Sequence, residues 1–84
     1  MTNKEILIKQ IIYRSNHRGS KEMDLLLGSF VKKYINNFNE KELEDLNSLL
    51  FLGDEFLYNL YFKKKVHTDI KKTKVSKMFI NFKL

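Results

Sequence analysis

The chain has no cysteine and no proline, and only three glycines in 84 residues. Without cysteine, neither a disulfide framework nor a cysteine-based metal site can staple it. The same absence fits a reducing compartment. Without proline, helix boundaries must be set by glycine and by capping residues. Strand signals are weak: no period-two run is bounded by turn residues, and no Asn-Gly or Asp-Gly pair marks a hairpin. The longest apolar runs, such as Leu25 to Leu27 and Leu49 to Leu52, fall far below the roughly 20 residues that span a bilayer. The N-terminus, Met1-Thr2-Asn3-Lys4-Glu5, carries an early acid and leads to no long apolar stretch with a cleavage site. It reads as neither a signal nor a transit peptide. The expectation is a soluble protein of a bacterial-type cytoplasm.

A chain of this length is one small domain, burying somewhat more than about 60% of its unfolded surface. Its net charge of +6 is unevenly spread. Residues 1–62 hold 8 Lys/Arg against 9 Asp/Glu, a net of −1, and residues 63–84 hold 8 Lys against Asp69 alone, a net of +7. The expected division is a bundle core over 1–62 and a lysine-rich segment over 63–84. That segment reads either as a fifth helix or as a partly mobile, solubilising tail. Its charge otherwise points to an acidic partner, a nucleic acid or a membrane surface.

Helical spacing dominates the chain, so the fold class is all-α. A first helix is expected from about Asn3, as cap, to Ser15, with Leu7, Ile8, Ile11 and Ile12 on one face. Ser20 then caps a second helix reaching about Asn37, whose core face is Met23, Leu26, Leu27, Phe30, Val31, Tyr34, Ile35 and Phe38. Gly28 inside it costs roughly 1 kcal/mol relative to Ala and implies a close neighbour. Asn39 and Glu42 form a capping box for a third helix, which carries Leu43, Leu46, Leu49 and Leu50 inward and stops at Gly53. Asp54 caps a short fourth helix. A fifth is expected from Thr68 or Asp69 through Phe82. The outcome is a small antiparallel bundle of four to five short helices.

The densest constellation lies where the first two helical patterns meet. Arg14, His17 and Arg18 gather beside Gly19, Glu22 and Asp24. A local account pairs Arg18 with Glu22, with both acids favouring the helix N-terminus. A functional account displays a guanidinium and carboxylates on a turn, where Gly19, able to take positive φ, lets a partner approach the backbone. The residues satisfy both accounts.

Catalysis is not expected. The two histidines lie far apart, no serine sits in a nucleophile elbow, and no glycine-rich phosphate loop is present. A metal held by His17 with Glu22 or Asp24 is disfavoured, because such spacing is a common coincidence. Tyr58 and Phe62, one turn apart, are candidate surface anchors.

The stretch from Ile12 to Phe30 resembles the signature of the SdhE family, the small flavinylation factors of succinate dehydrogenase. Its Arg-Gly-x-x-Glu motif stands here as Arg18-Gly19-Ser20-Lys21-Glu22, followed by Asp24 and a Leu-Leu-Gly-x-Phe run. The resemblance covers roughly residues 5–62. It implies a five-helix bundle that assists covalent attachment of FAD to the flavoprotein subunit of succinate dehydrogenase, and in some bacteria of fumarate reductase. The client's own site does the chemistry. No cofactor is expected beyond the client's FAD, and whether the helper itself binds FAD stays open. By that resemblance Arg18, Gly19 and Glu22 contact the client, and Asp24, Arg14 and His17 flank the contact. His17 stands where the family commonly has a second Arg. The lysine-rich segment is poorly matched. Two other readings stay open: a basic nucleic-acid-binding module, and an interaction protein of antitoxin type.

Overall fold

The computed structural model describes residues 2–64 and 73–83. Five α-helices and one 3-10 turn make up its regular structure: α1 (Asn3–Asn16), α2 (Lys21–Tyr34), the turn Ile35–Asn37, α3 (Glu40–Leu50), α4 (Asp54–Phe62) and α5 (Lys74–Asn81). No strand occurs among the described residues. The architecture is a small all-α bundle.

Capping residues set the helix starts. The Thr2 hydroxyl, rather than Asn3, caps α1, accepting from Glu5 N–H at 3.1 Å. Both residue types cap well, so the choice falls to backbone conformation, and Thr2 is the extended one. Ser20 caps α2 as expected, accepting from Met23 N–H. The last stretch of the second helix tightens into the 3-10 turn, which carries buried Ile35 and leads to buried Phe38. The Asn39–Glu42 capping box is complete, with bonds of 2.8 and 3.0 Å. α3 ends at Leu50 rather than at Gly53, where the Phe51 and Leu52 amides fold back onto Ser48 and Leu49 carbonyls. Gly53, not Asp54, occupies the α4 cap position, and it offers no side-chain bond. The expected α5 start at Thr68 or Asp69 lies outside the described residues. Thr73 and Ser76 form a capping box for α5.

α1 packs against α2 and α3, and α5 packs against α3 and α4. Ile11 is fully buried, whereas Ile12 keeps 43% of its surface exposed, so the apolar stripe of α1 is narrower than the spacing predicts. Leu7 and Ile8 only lean on the core. Gly28 does mark a close approach: a Cβ there would lie 3.1 Å from the Asn16 carboxamide oxygen of α1.

Phe30 sits at the aromatic centre, edge-on to Tyr34, Phe79 and Phe82 with centroids 5.2–5.6 Å apart. Such pairs add about 0.5–1.5 kcal/mol each beyond their burial. Val75, Phe79 and Phe82 of the C-terminal segment are thereby core residues. The segment is also tied down by polar bonds. The Tyr61 hydroxyl donates to the Phe82 carbonyl, and Lys74 pairs with Glu42 at 3.1 Å.

The N-cap amide hydrogen of Asn39, and then Lys74, hold the Glu42 carboxyl below its ordinary value. A carboxylate with a lowered folded-state value stabilises above its unfolded value, and the contribution is lost as pH falls through the folded one. Glu42→Gln keeps a cap acceptor but removes the charge. Its Tm should therefore fall below that of the parent at pH 7, and the gap should close as acid protonates the parent carboxyl. Phe79→Ala should cost about 3–5 kcal/mol in urea denaturation followed by circular dichroism. An unchanged midpoint would show that α5 adds nothing to the core.

Candidate functional site

The α1–α2 junction meets the α3–α4 loop through one side chain. The Arg18 guanidinium turns inward and is only 9% exposed. Its Nε donates to Asp54 Oδ1 at 2.7 Å, its Nη1 to the Leu50 carbonyl at 2.8 Å, and its Nη2 to the Leu52 carbonyl at 2.8 Å. A longer bond of 3.4 Å reaches the Arg14 carbonyl. The last carbonyls of a helix have no partner within it and form the negative end of its dipole. One arginine therefore serves the C-terminal ends of α1 and α3 together. The fixed fork of the guanidinium makes that possible, and lysine has no equivalent.

Asp54 completes the arrangement from the first turn of α4, where a negative charge is favoured. Its second oxygen accepts the Gly19 amide hydrogen at 2.7 Å. Asp24, in the first turn of α2, accepts the Arg18 amide hydrogen at 2.6 Å. The junction thus joins α1, α2, α3 and α4 in one charge-assisted network. No buried side-chain polar atom among the described residues lacks a partner.

This differs from the expectation in two respects. The local pair of Arg18 with Glu22 does not form, because Asp54 and two carbonyls claim the guanidinium. Nor does Gly19 use positive φ; no glycine among the described residues does. Gly19 matters for close approach instead: a Cβ there would stand 3.0 Å from Asp54 Oδ2. Asp54, Asn47 and Phe51 were not legible as parts of this site. They come from a loop and helix some thirty residues away, and no local spacing signals them.

The remaining candidate residues form an accessible rim. Glu22 is exposed and makes no side-chain hydrogen bond or ion pair among the described residues. Tyr13 and His17 stack at 3.9 Å, and His17 Nδ1 lies 2.7 Å from the Tyr13 carbonyl. A carbonyl only accepts, so Nδ1 carries the hydrogen in this contact. The Arg14 guanidinium lies 4.0 Å from the Phe51 ring centroid and donates to the Asn47 carboxamide oxygen. Tyr13 and Phe51 are the most exposed large apolar residues among those described, at 63% and 68%. Arg18 and Asp24 are thus built into the support of the turn. Gly19, Glu22, His17 and the Arg14–Phe51 pair make its outer surface. Asp24 is already engaged as an acceptor. Among the described residues no group of three potential ligands is placed to hold a metal. No described helix is long and apolar enough to cross a membrane.

Residues 9–83 match the family model described as the flavinator of succinate dehydrogenase. The match extends through the lysine-rich segment, beyond the stretch in which the signature is visible. The chain is 41% identical over 66 residues to a Scheffersomyces stipitis protein named succinate dehydrogenase assembly factor 2, mitochondrial; these are 79% of this chain and 42% of that one. It is 39% identical over 74 residues to the Dictyostelium discoideum protein of the same name, covering 88% of this chain and 52% of the relative. An Arabidopsis thaliana protein of that name is 36% identical over 56 residues, 67% of this chain and 30% of its own length. The chain thus spans about half or less of these relatives. No solved structure matches it. These relatives are eukaryotic and named mitochondrial, which overturns the expected bacterial cytoplasm. That expectation leaned on the first residues of the chain, and a stretch spanning half of its relatives carries no information on location in where it starts.

Arg18→Ala should lower stability by about 2–3 kcal/mol, since it leaves main-chain carbonyls and a carboxylate without their donor. Asp54→Ala should cost less, about 1–2 kcal/mol, because Arg18 loses its carboxylate but keeps the Leu50 and Leu52 carbonyls as acceptors. Arg18→Lys should recover only part of the loss. Thermal melts of the three variants order them; a neutral Arg18→Ala would show that the network is ornamental.

Proposed function

The chain belongs to the family of flavinators of succinate dehydrogenase, and from that premise we propose that it is an assembly factor for that enzyme's flavoprotein subunit. It binds the immature subunit and promotes covalent attachment of FAD, then releases the product. The setting is the mitochondrion, as in the relatives named above. The observation that carries this reading is the family match, which runs from α1 through α5 and includes the whole Arg18–Gly19 turn.

The helper acts without catalytic groups of its own. Holding a client's segments in one arrangement lets its nucleophile and its flavin meet, which removes an entropic part of the barrier. The contact surface is the outer side of the turn. Gly19 gives a backbone with no side chain in the way, Glu22 offers an unengaged carboxylate, and His17 an exposed imidazole. Tyr13 and Phe51 supply the exposed aromatic area from which interface anchors are drawn. Arg18 and Asp24 keep this surface in one shape before the client arrives, which reduces the ordering cost of binding.

Co-expression with the cognate flavoprotein subunit tests the reading, with protein-bound flavin fluorescence read in a denaturing gel. The fluorescent band should require the wild-type chain. It should be lost with Gly19→Arg, whose long side chain projects where the client docks, while far-UV circular dichroism stays helical. Glu22→Ala should weaken capture of the subunit by about fivefold or more. Equal bands with wild type, Gly19→Arg and no factor would remove this client from the proposal.

A further inference from the structure

A second surface lies at the other end of α2, about 20 Å along the helix from the Arg18 turn. There α2 and α5 enclose an open cleft of about 660 Å³. Four lysines edge it: Lys33 from α2, and Lys74, Lys77 and Lys83 from α5 and its exit. All four are exposed. Only Lys74 has an ion pair among the described residues, with Glu42 at 3.1 Å. Four ammonium groups less one paired leaves three uncompensated positive charges around one cavity. Between the lysines the lining is Tyr34, Met78, Phe82 and Asn81, and the Asn81 amide donates to the Lys77 carbonyl.

That lining decides what kind of anion suits the rim. Nucleic-acid bases gain about 1–3 kcal/mol each by stacking on open aromatic faces. No such face is open here. Phe82 is 7% exposed. The Tyr34 ring is met edgewise by Phe30 and Phe82 and stacked by Phe38. The Lys33 ammonium lies 5.4 Å from the Tyr34 centroid and 5.8 Å from that of Phe82. Partly buried Met78 is what remains, and a thioether adapts readily to an aliphatic side chain. Lysines are mobile point charges that meet carboxylates from several directions.

We propose that the α2–α5 cleft is a docking site for an acidic polypeptide segment, with carboxylates on the lysine rim and one aliphatic side chain on Met78. This inference does not rest on the flavoprotein reading, since it concerns different residues at the far end of α2.

The test uses the full chain and fluorescence anisotropy. The probe is a fluorescein-labelled peptide with three acidic residues on each side of one leucine. The comparison is an oligothymidine of equal charge. The peptide should bind more tightly than the oligothymidine, and replacing its leucine by serine should weaken binding several-fold. Lys33→Glu with Lys77→Glu should raise Kd by about tenfold, each reversal replacing an exposed attraction with a repulsion. Lys4→Glu with Lys21→Glu, the same change of net charge elsewhere, should shift Kd by less than about twofold. Tighter binding of the oligothymidine, indifference to the leucine, or equal weakening by both lysine pairs would overturn the proposal. The leucine comparison needs no protein variant, so a misfolded mutant cannot shield the idea.

Discussion

The bundle is organised around the Arg18 guanidinium. Four short helices converge on the junction it occupies, and each brings an end with unsatisfied backbone groups. Arg18 donates to carbonyls at the ends of α1 and α3 and to the carboxylate that opens α4. The backbone beside it is held in turn by Asp24 and Asp54. A chain with no disulfide and no proline has few other ways to lock its loops. Local helix propensity is weak at these lengths, so tertiary contacts must fix how the helices meet. The arginine does this with directional bonds where the apolar core, which is non-directional, cannot.

Periodicity carried most of the fold. Most of the core face of the second helix was legible, because sustained apolar spacing admits one buried side; Tyr34 is only partly buried, and Ile35 and Phe38 are buried beyond the end of α2. The Asn39–Glu42 capping box was legible too, since both partners lie within four residues. What was not legible were the non-local polar contacts. Asp54 suits a helix cap by composition, yet its two oxygens are spent on Arg18 and Gly19 from 36 and 35 residues away. Gly53 takes the cap position with no side-chain bond. Likewise Arg14 reaches Asn47 and Phe51 across the α1–α3 packing, and α1 spacing contains no hint of either. Motif and resemblance marked the Arg-Gly turn as important. Only the geometry separates the residues that shape it from those that face outward.

That separation bears on how variants at the turn are read. Arg18 and Asp24 sit beneath the surface that a partner would touch, so altering them disturbs fold and surface together. Gly19 and Glu22 are different, since their outward sides contribute no bond to the core. Gly19 is nevertheless constrained from behind, because the Asp54 carboxylate lies against its amide and against the place of a Cβ. A side chain there would crowd the protein's own carboxylate, which would have to give by a few tenths of an ångström.

The two ends of α2 use charge in opposite ways. At the N-terminal end Arg18 and Asp54 satisfy one another and the backbone, and what faces water is glycine, aromatic surface, the Glu22 carboxylate and the Lys21 ammonium. At the C-terminal end Lys33, Lys77 and Lys83 have no ion pair among the described residues, while Lys74 pairs with Glu42 of α3. Lys33 does favour the C-terminal dipole of α2, and a net positive charge favours solubility. Neither need explains why the lysines of a second helix should crowd the same cleft. α5 places Val75 and Phe79 in the core and turns Lys74 and Lys77 outward. Fixing its apolar side therefore fixes where its charges stand. The order imposed by Phe30 and Phe79 in the core is what converts a lysine-rich sequence into a shaped positive surface.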